Sequence, residues 1–391
     1  YKRQALQRAF LPPDEIALDG RLRENLTTVP DGRWLSLLNV RYVITDKVFD
    51  AWIDNVFYDL QFKATLAAGE QAEVARIPPL AATALGLVSY LEGAEALADG
   101  AAVGEVTVGF DNGAARTFTL RAGMETAEGL YDAEVAHAQA TVGGHYWPGQ
   151  PEGNDYVTRL RWDGAAVPTT VVVRALLPQG RLVVRGVSLL DERSGSFQAL
   201  TLSDQGRFWL AHSGDVKVYE NLDALPRAFV AQQAWVAASQ EEALARMQAV
   251  DFDPLGEIVV EGTGAVALRG PVGSTAGPAR ITAYAPERVE VQVELAAPGY
   301  LVLTDSHYPG WRAWVDGEEA EVFVTDLLFR AVWLEEGQHR VVFTFEPRSV
   351  WMGGVISLVT LAALAIWAAI SAYRSAADAR RASPIVAAFE R

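Results

Sequence analysis

The sequence contains no cysteine, few histidines and fewer basic than acidic residues: five His, and 33 Lys plus Arg against 49 Asp plus Glu. Without cysteine there can be no disulfide, thiolate zinc site or cysteine nucleophile, although the compartment is not thereby identified. The histidines are His137, His145, His212, His307 and His339. No two have metal-ligand spacing and no H-E-x-x-H occurs, so no metal site is expected. The deficit of basic residues leaves a formal charge of −16. Such a chain repels phosphate backbones and anionic headgroups, which argues against a nucleic-acid partner.

Motifs for nucleophilic or nucleotide chemistry are missing as well. There is no G-x-S-x-G elbow and no phosphate-binding loop. "GTGAVALRG" (262–270) has glycines but no helix signal after them. Carboxylates are plentiful, but sequence alone cannot set two of them at the separation that glycoside hydrolysis requires. No catalytic constellation and no cofactor pattern results. The chain begins at Tyr1, and "YKRQALQRAFLPPDE" has no apolar core, so it is not a signal peptide. The expectation is a processed product or a piece of something longer, with a cleaved signal or further membrane helices before Tyr1.

What is present includes one long apolar run. "SVWMGGVISLVTLAALAIWAAISAY" (349–373) carries no charge and lies between Arg348 and Arg374. At about 1.5 Å per residue it can cross a hydrocarbon core of about 30 Å with some tilt. Trp351 and Tyr373 fall near its ends, where amphipathic rings favour the interface. Arg374, Arg380 and Arg381 follow the span and only Arg348 immediately precedes it, a modest bias towards a cytoplasmic tail at 374–391. Gly353 with Ser357, and Ala365 with Ala369, have the spacing that admits another helix, as does ordinary alanine-rich composition. The expected partners are therefore the bilayer and other transmembrane helices. The expected location is a bacterial cell membrane, with the large acidic, strand-rich part on the exported side.

A chain of 391 residues exceeds one ordinary core. Residues 1–48 read as an opening segment: "RWLSLLNV" has helical spacing, and "RYVITD" reads as a short buried strand. Residues 49–213 read as a jelly-roll-like β-sandwich. "VGEVTVGF" and "ARTFTL" alternate around a "DNG" turn, and "YVTRLRW", "TTVVVRAL" and "GRLVVRGVSLL" continue the pattern. Residues 214–272 read as a small α/β layer, in which "SQEEALARMQAV" opens with Ser239 and Glu242 as a capping box. "RYVITD" is expected to join that sheet, making the jelly roll an insertion. Residues 273–348 supply seven strand candidates for a membrane-proximal β-sandwich. The predicted fold is thus mainly β: a jelly-roll-type sandwich inserted in a small α/β layer, a second sandwich, and one C-terminal transmembrane helix.

"YPGWRAWVDG" (308–317) holds Tyr308, Trp311 and Trp314 beside an Asp316-Gly317 hairpin turn. Alternation puts Trp311, Ala313 and Val315 on one face and Arg312 and Trp314 on the other. A packed sandwich corner fits best; sugar stacking on these rings is the weaker candidate. Together with "LLNVRYVIT" (37–45), "VKVYENLDALPRAFV" (216–230), "LFRAVWLEEGQHRVVFTFEPRS" (328–349) and the terminal span, this stretch resembles the YfhO-like bacterial multispanning membrane proteins. The pieces come in the family's order and cover the frame of the chain, not residues 50–212. That family is regarded as GT-C-type glycosyltransferases. The resemblance implies a polyprenyl-phosphate-sugar donor and catalytic acids in loops between N-terminal membrane helices, none of which is in this chain.

One stretch stands out as a binding loop, "GGHYWPGQPEGNDYVTRLRW" (143–162). His145, Tyr146, Trp147, Asn154, Asp155, Tyr156, Arg159 and Trp162 combine ring faces for stacking with groups that bond hydroxyls. A long sandwich loop pinned by its own aromatics, a glycan site and a protein contact all fit. The reading favoured is an accessory, membrane-anchored ectodomain of a GT-C-like glycosyltransferase, which recognises a glycan acceptor or braces the membrane part. The alternative is a non-enzymatic, single-anchor surface or membrane-complex subunit with β-sandwich interaction domains.

Overall fold

The structure is a computed structural model that describes residues 6–16, 26, 29–130, 139–144, 153–270 and 279–382. The architecture is mainly β and ends in one long apolar helix. A β-sandwich forms from two antiparallel sheets. One has the order Ser196–Leu200, Arg181–Asp191, Ala82–Glu92, Asp155–Ala166, Val142–Gly144, with Ala64–Leu66 also on Arg181–Asp191. The other runs Gln71–Glu73, Pro168–Ala175, Ala102–Phe110, Ala115–Arg121. Period-2 alternation delivers Leu85, Leu87, Leu160 and Leu189 of the first sheet against Val106, Val108, Leu120, Val171 and Val173 of the second. Each such side chain contributes about 1.5–3 kcal/mol by leaving water. The expected turn after Phe110 is present, with Gly113 at φ 80°.

The sandwich lies between two strands that pair with each other. Tyr42–Thr45 runs antiparallel to Lys217–Asn221, which pairs in turn with Phe208–Ser213. This departs from the sequence reading in two respects. The "RYVITD" strand is not buried but forms a sheet edge, with Tyr42 and Ile44 exposed. It also does not join the α/β sheet; its three-stranded sheet is separate. β-Branched composition reports compatibility with a strand and not how many neighbours the strand has.

A hairpin, Asp50–Ile53 with Val56–Asp59, wedges between the three-stranded sheet and the sandwich. Asp54 and Asn55 at its tip both have positive φ, 49° and 63°, as a two-residue turn that follows strand twist requires. Val56 and Tyr58 pack on the sandwich, and Phe57 packs towards Phe62, Phe208 and Tyr219. Asp59 accepts from the Lys217 ammonium at 2.9 Å and the Tyr219 hydroxyl at 2.7 Å.

The remaining β structure has three layers. A seven-stranded sheet has the order Ala228–Ala231, Gly299–Leu303, Phe329–Leu334, Phe323–Thr325, Ile258–Glu261, Gln233–Ala237, Leu268–Arg269. One face carries Phe229, Tyr300, Val302 and Phe329 and is covered by helices α1 (Gly32–Leu37) and α2 (Gln240–Met247). The other carries Val230, Leu301, Leu303 and Val332 and packs on a five-stranded sheet through Val291, Ala313, Val341 and Phe343. Helix α2 links Gln233–Ala237 to the parallel strand Ile258–Glu261. Ser239 caps it as expected, accepting from Glu242 N–H at 3.2 Å, while the Glu242 carboxylate accepts from Ala238 N–H at 2.8 Å.

Strands on both sides of residue 272 therefore share one sheet. One of the seven strand candidates in 273–348, "EAEVFV" (319–324), is also split: Glu318–Ala320 belongs to the five-stranded sheet and Phe323–Thr325 to the seven-stranded one. Alternation within each strand was legible, but which sheet receives it depends on pairing distant in sequence.

The last element, α3 (Arg348–Ala382), is longer than the apolar run. Its residues beyond Tyr373 are mostly Ala, Ser, Arg and Asp, none of which breaks a helix; the first proline after the span is Pro384. Residues 348–380 have a mean hydropathy window of 2.3 and none of that window is buried.

Candidate functional site

Of the loop at 143–162, His145, Tyr146 and Trp147 lie outside the described residues. The others anchor the strand that leaves the loop. Asn154 donates its N–H to Gly129 O at 2.8 Å. Asp155 is fully buried and meets Arg185, itself buried, at 2.7 Å. The Tyr156 hydroxyl donates to Glu128 O at 2.9 Å. Arg159 reaches Asp54 O at 3.2 Å and the Glu192 carboxylate at 3.6 Å. Trp162 donates Nε1–H to Ala82 O at 3.0 Å and packs edge-on to Phe110 at 5.2 Å. Alternation explains the split: Asp155 leans on the outer face of the sheet, and Leu160 and Trp162 pack towards the sandwich core. The polar atoms of Asp155, Tyr156 and Trp162 are thus bonded to this chain.

The second candidate stretch forms a corner at the root of α3. Asp316 and Gly317 have φ of 53° and 95° and join Trp311–Val315 to Glu318–Ala320. Ala313 is wholly buried, with Trp311 and Val315 packed beside it. Trp314 is half-buried on the opposite face under the Arg312 guanidinium, 5.2 Å from the ring. Tyr308 is exposed.

Trp311 is held between Phe345, 5.2 Å away, and the guanidinium of Arg330, 3.6 Å above its ring. Arg330 is 1% exposed and bonds Asp305 and Ser306 O, each at 3.1 Å. Burial pushes its pKa down to about 10, opposed by Asp305, so it stays charged at neutral pH. Nothing in the sequence marked Arg330; a strand reading "FRAVW" gives no sign that its one cation is buried. The corner also holds the helix root. Glu346 N–H donates to Gly310 O at 2.7 Å, and the Arg312 guanidinium bonds the Glu346 carboxylate at 3.3 Å. Gly310, at φ 114°, lies where a Cβ would stand 2.9 Å from Pro347.

Arg330→Met is expected to lower stability by about 2 kcal/mol, since the cation–π stack and two hydrogen bonds are lost. The cost stays moderate because Asp305 keeps Arg227 at 3.0 Å. Thermal unfolding of the full chain in detergent checks this; an unchanged midpoint would assign the contact no role.

Among the described residues, no three His, Asp or Glu side chains converge in a metal-binding arrangement. No protein-family model matches the chain, and no curated protein matches it. Solved structures with some likeness include the arabinofuranosyltransferase AftD from mycobacteria, at 13% identity. A mutant form of it has a TM-score of 0.18 and the other form 0.16, each over 78% of this chain. The chain spans about a quarter of that protein, 24% of its length. An oxalate decarboxylase matches at 13% identity over 73% of this chain and 68% of its own, with a TM-score of 0.14. Likenesses at these scores define neither a fold family nor an activity.

Proposed function

We propose that the chain is a membrane-anchored ectodomain accessory to a GT-C-like glycosyltransferase of the YfhO type, standing on the exported side of a bacterial membrane. There it braces the membrane part and presents a surface to the glycan acceptor. The observation that carries this reading is the junction at the root of α3. Only Glu346 and Pro347 separate the strand Gly337–Phe345 from the helix that starts at Arg348, and Glu346 is bonded to Gly310 O and to the Arg312 guanidinium. An ectodomain fixed this way moves with its helix, as a brace must. The five quoted motifs that resemble the YfhO-like family lie in this frame, four of them in the strands and turns around the helix root and the three-stranded sheet.

Sidedness is tested with single cysteines, because the chain has none of its own. Asn112→Cys, in an exposed hairpin turn, and Ser383→Cys, beyond the span, are expected to differ. In intact cells an impermeant maleimide labels the first and misses the second. Labelling at Ser383→Cys alone would invert the arrangement and remove the exported role.

A further inference from the structure

The three-stranded sheet has one packed and one open face. Val43, Leu210 and Tyr219 point into a hydrophobic cluster. On the other face the register sets Tyr42, Glu220 and Trp209 in one cross-strand row. With strands about 4.8 Å apart, the two ring-bearing strands are about 10 Å apart with the carboxylate between them. Arg41 lies over the Tyr42 ring at 5.5 Å and pairs with Glu220 at 3.0 Å. Arg76 lies over the Trp209 ring at 4.0 Å and pairs with Glu220 at 3.5 Å. The row is therefore an ordered platform: each ring is held by a guanidinium, and both guanidiniums are held by one carboxylate.

A cleft of about 870 Å³ adjoins it, lined by Gln71, Glu73, Ser203, Asp204 and Arg207 among others. Its lining residue Ala75 precedes Arg76, and Arg207 lies two residues before Trp209, so platform and cleft are continuous. The 203–207 wall is fixed from behind, where Gly32 N–H donates to Gln205 O and a Cβ on Gly32 would stand 2.6 Å from that oxygen.

We propose that this platform and cleft bind a neutral glycan chain. Beside their guanidiniums Tyr42 is 52% exposed and Trp209 partly exposed, which leaves ring surface for the C–H groups of sugars. Carboxylates, guanidiniums, an amide and a hydroxyl supply acceptors and donors for sugar hydroxyls. Glu70, Glu73, Asp204, Glu220 and Asp223 outnumber Arg41, Arg76 and Arg207, so an uncharged polyol suits the site better than a polyanion. None of its residues belongs to the 143–162 stretch. It gives a location to the acceptor surface proposed above, and rests on that reading for its biological role but not for its chemistry.

The test uses the full chain in detergent micelles, titrated at millimolar concentration with neutral oligosaccharides of glucose, mannose and galactose, and with oligogalacturonate as the anionic probe. Saturable binding to at least one neutral series is expected. Trp209→Ala and Tyr42→Ala should each weaken it about tenfold, as loss of one stacking ring implies. The melting temperature should change little, because both rings lie on the open face; Trp147→Ala should leave binding intact. Absence of neutral-glycan binding, binding to oligogalacturonate alone, or binding lost in Trp147→Ala but kept in Trp209→Ala and Tyr42→Ala would each overturn the proposal. None of these outcomes depends on membrane sidedness, so failure here and failure of the topology test are distinguishable.

Discussion

Lys217→Met is expected to destabilise the protein by about 3–5 kcal/mol, the cost of stranding buried charge when one partner of an ion pair is removed. Lys217 is completely buried between the Asp50–Asp59 hairpin and the three-stranded sheet. Its ammonium stands 2.9 Å from Asp59 and 3.0 Å from Asp50. Without it, the buried Asp59 carboxylate faces the largely buried Asp50 carboxylate with no cation between them. Tyr219 stays protonated and gives the pair only the one hydrogen bond it already donates to Asp59. Burial, and then the negative charge of Asp59, holds its hydroxyl far above the usual tyrosine range. Thermal melts of the purified chain in detergent check the loss. Lys47→Met provides the scale, since Lys47 meets Asp50 at 3.6 Å with its side chain 44% exposed and such pairs contribute about 0–1 kcal/mol. Equal effects of the two substitutions would contradict the argument. Adding Asp59→Asn to Lys217→Met should restore part of the loss, because the pair is coupled. Glu220 is three residues along the same strand, so the platform should loosen along with the core beneath it.

Asp326→Asn is expected to stabilise the protein above neutral pH and to change little near pH 4. Asp326 is fully buried at a turn where it and Leu327 have φ of 48° and 63°. Its carboxyl accepts from Val259 N–H at 2.8 Å, and the Thr325 hydroxyl is 3.0 Å away. Burial raises its pKa from 3.8 to about 7; those two bonds oppose the rise, and Glu257 and Glu261 add to it. Between pH 4 and 7 the folded state thus holds a proton that the unfolded state has released. Stability is full below about 3.8, falls as the pH rises through that window, and is flat above it. A rise from 3.8 to about 7 corresponds to about 4 kcal/mol. An asparagine in the same place accepts from Val259, bonds Thr325 and never has to ionise. Melting temperatures of both proteins across pH 4–8 should diverge with rising pH; parallel curves would show that Asp326 titrates normally.

Legibility was uneven, for reasons visible in particular residues. Ser239 with Glu242, Asp316 with Gly317, and "DNG" act within a few residues of themselves, and each appears where the sequence placed it. The apolar run did the same, because an uncharged stretch of that length has few alternatives to a helix. The "RYVITD" strand was visible, but its openness was not: Tyr42 and Ile44 have the same composition whether or not another sheet covers them. Nothing in the sequence distinguishes Lys217 and Arg330 from ordinary surface cations on strands. Both are buried because oppositely charged or aromatic groups from elsewhere in the chain, Asp59 and Asp50 for one and Trp311 and Asp305 for the other, converge on them.

By itself, then, the sequence determined the strand-rich character, the hairpin turns, the cap of α2 and the apolar helix, all of which follow from interactions between near neighbours. The tertiary structure alone decided that residues on both sides of 272 share a seven-stranded sheet, that Glu318–Thr325 is divided between two sheets, and that Tyr42, Glu220 and Trp209 stand in one row. Those outcomes depend on backbone pairing across long separations. A strand's alternation is satisfied equally well by any partner that buries its apolar face, so only the fold as a whole selects the partner.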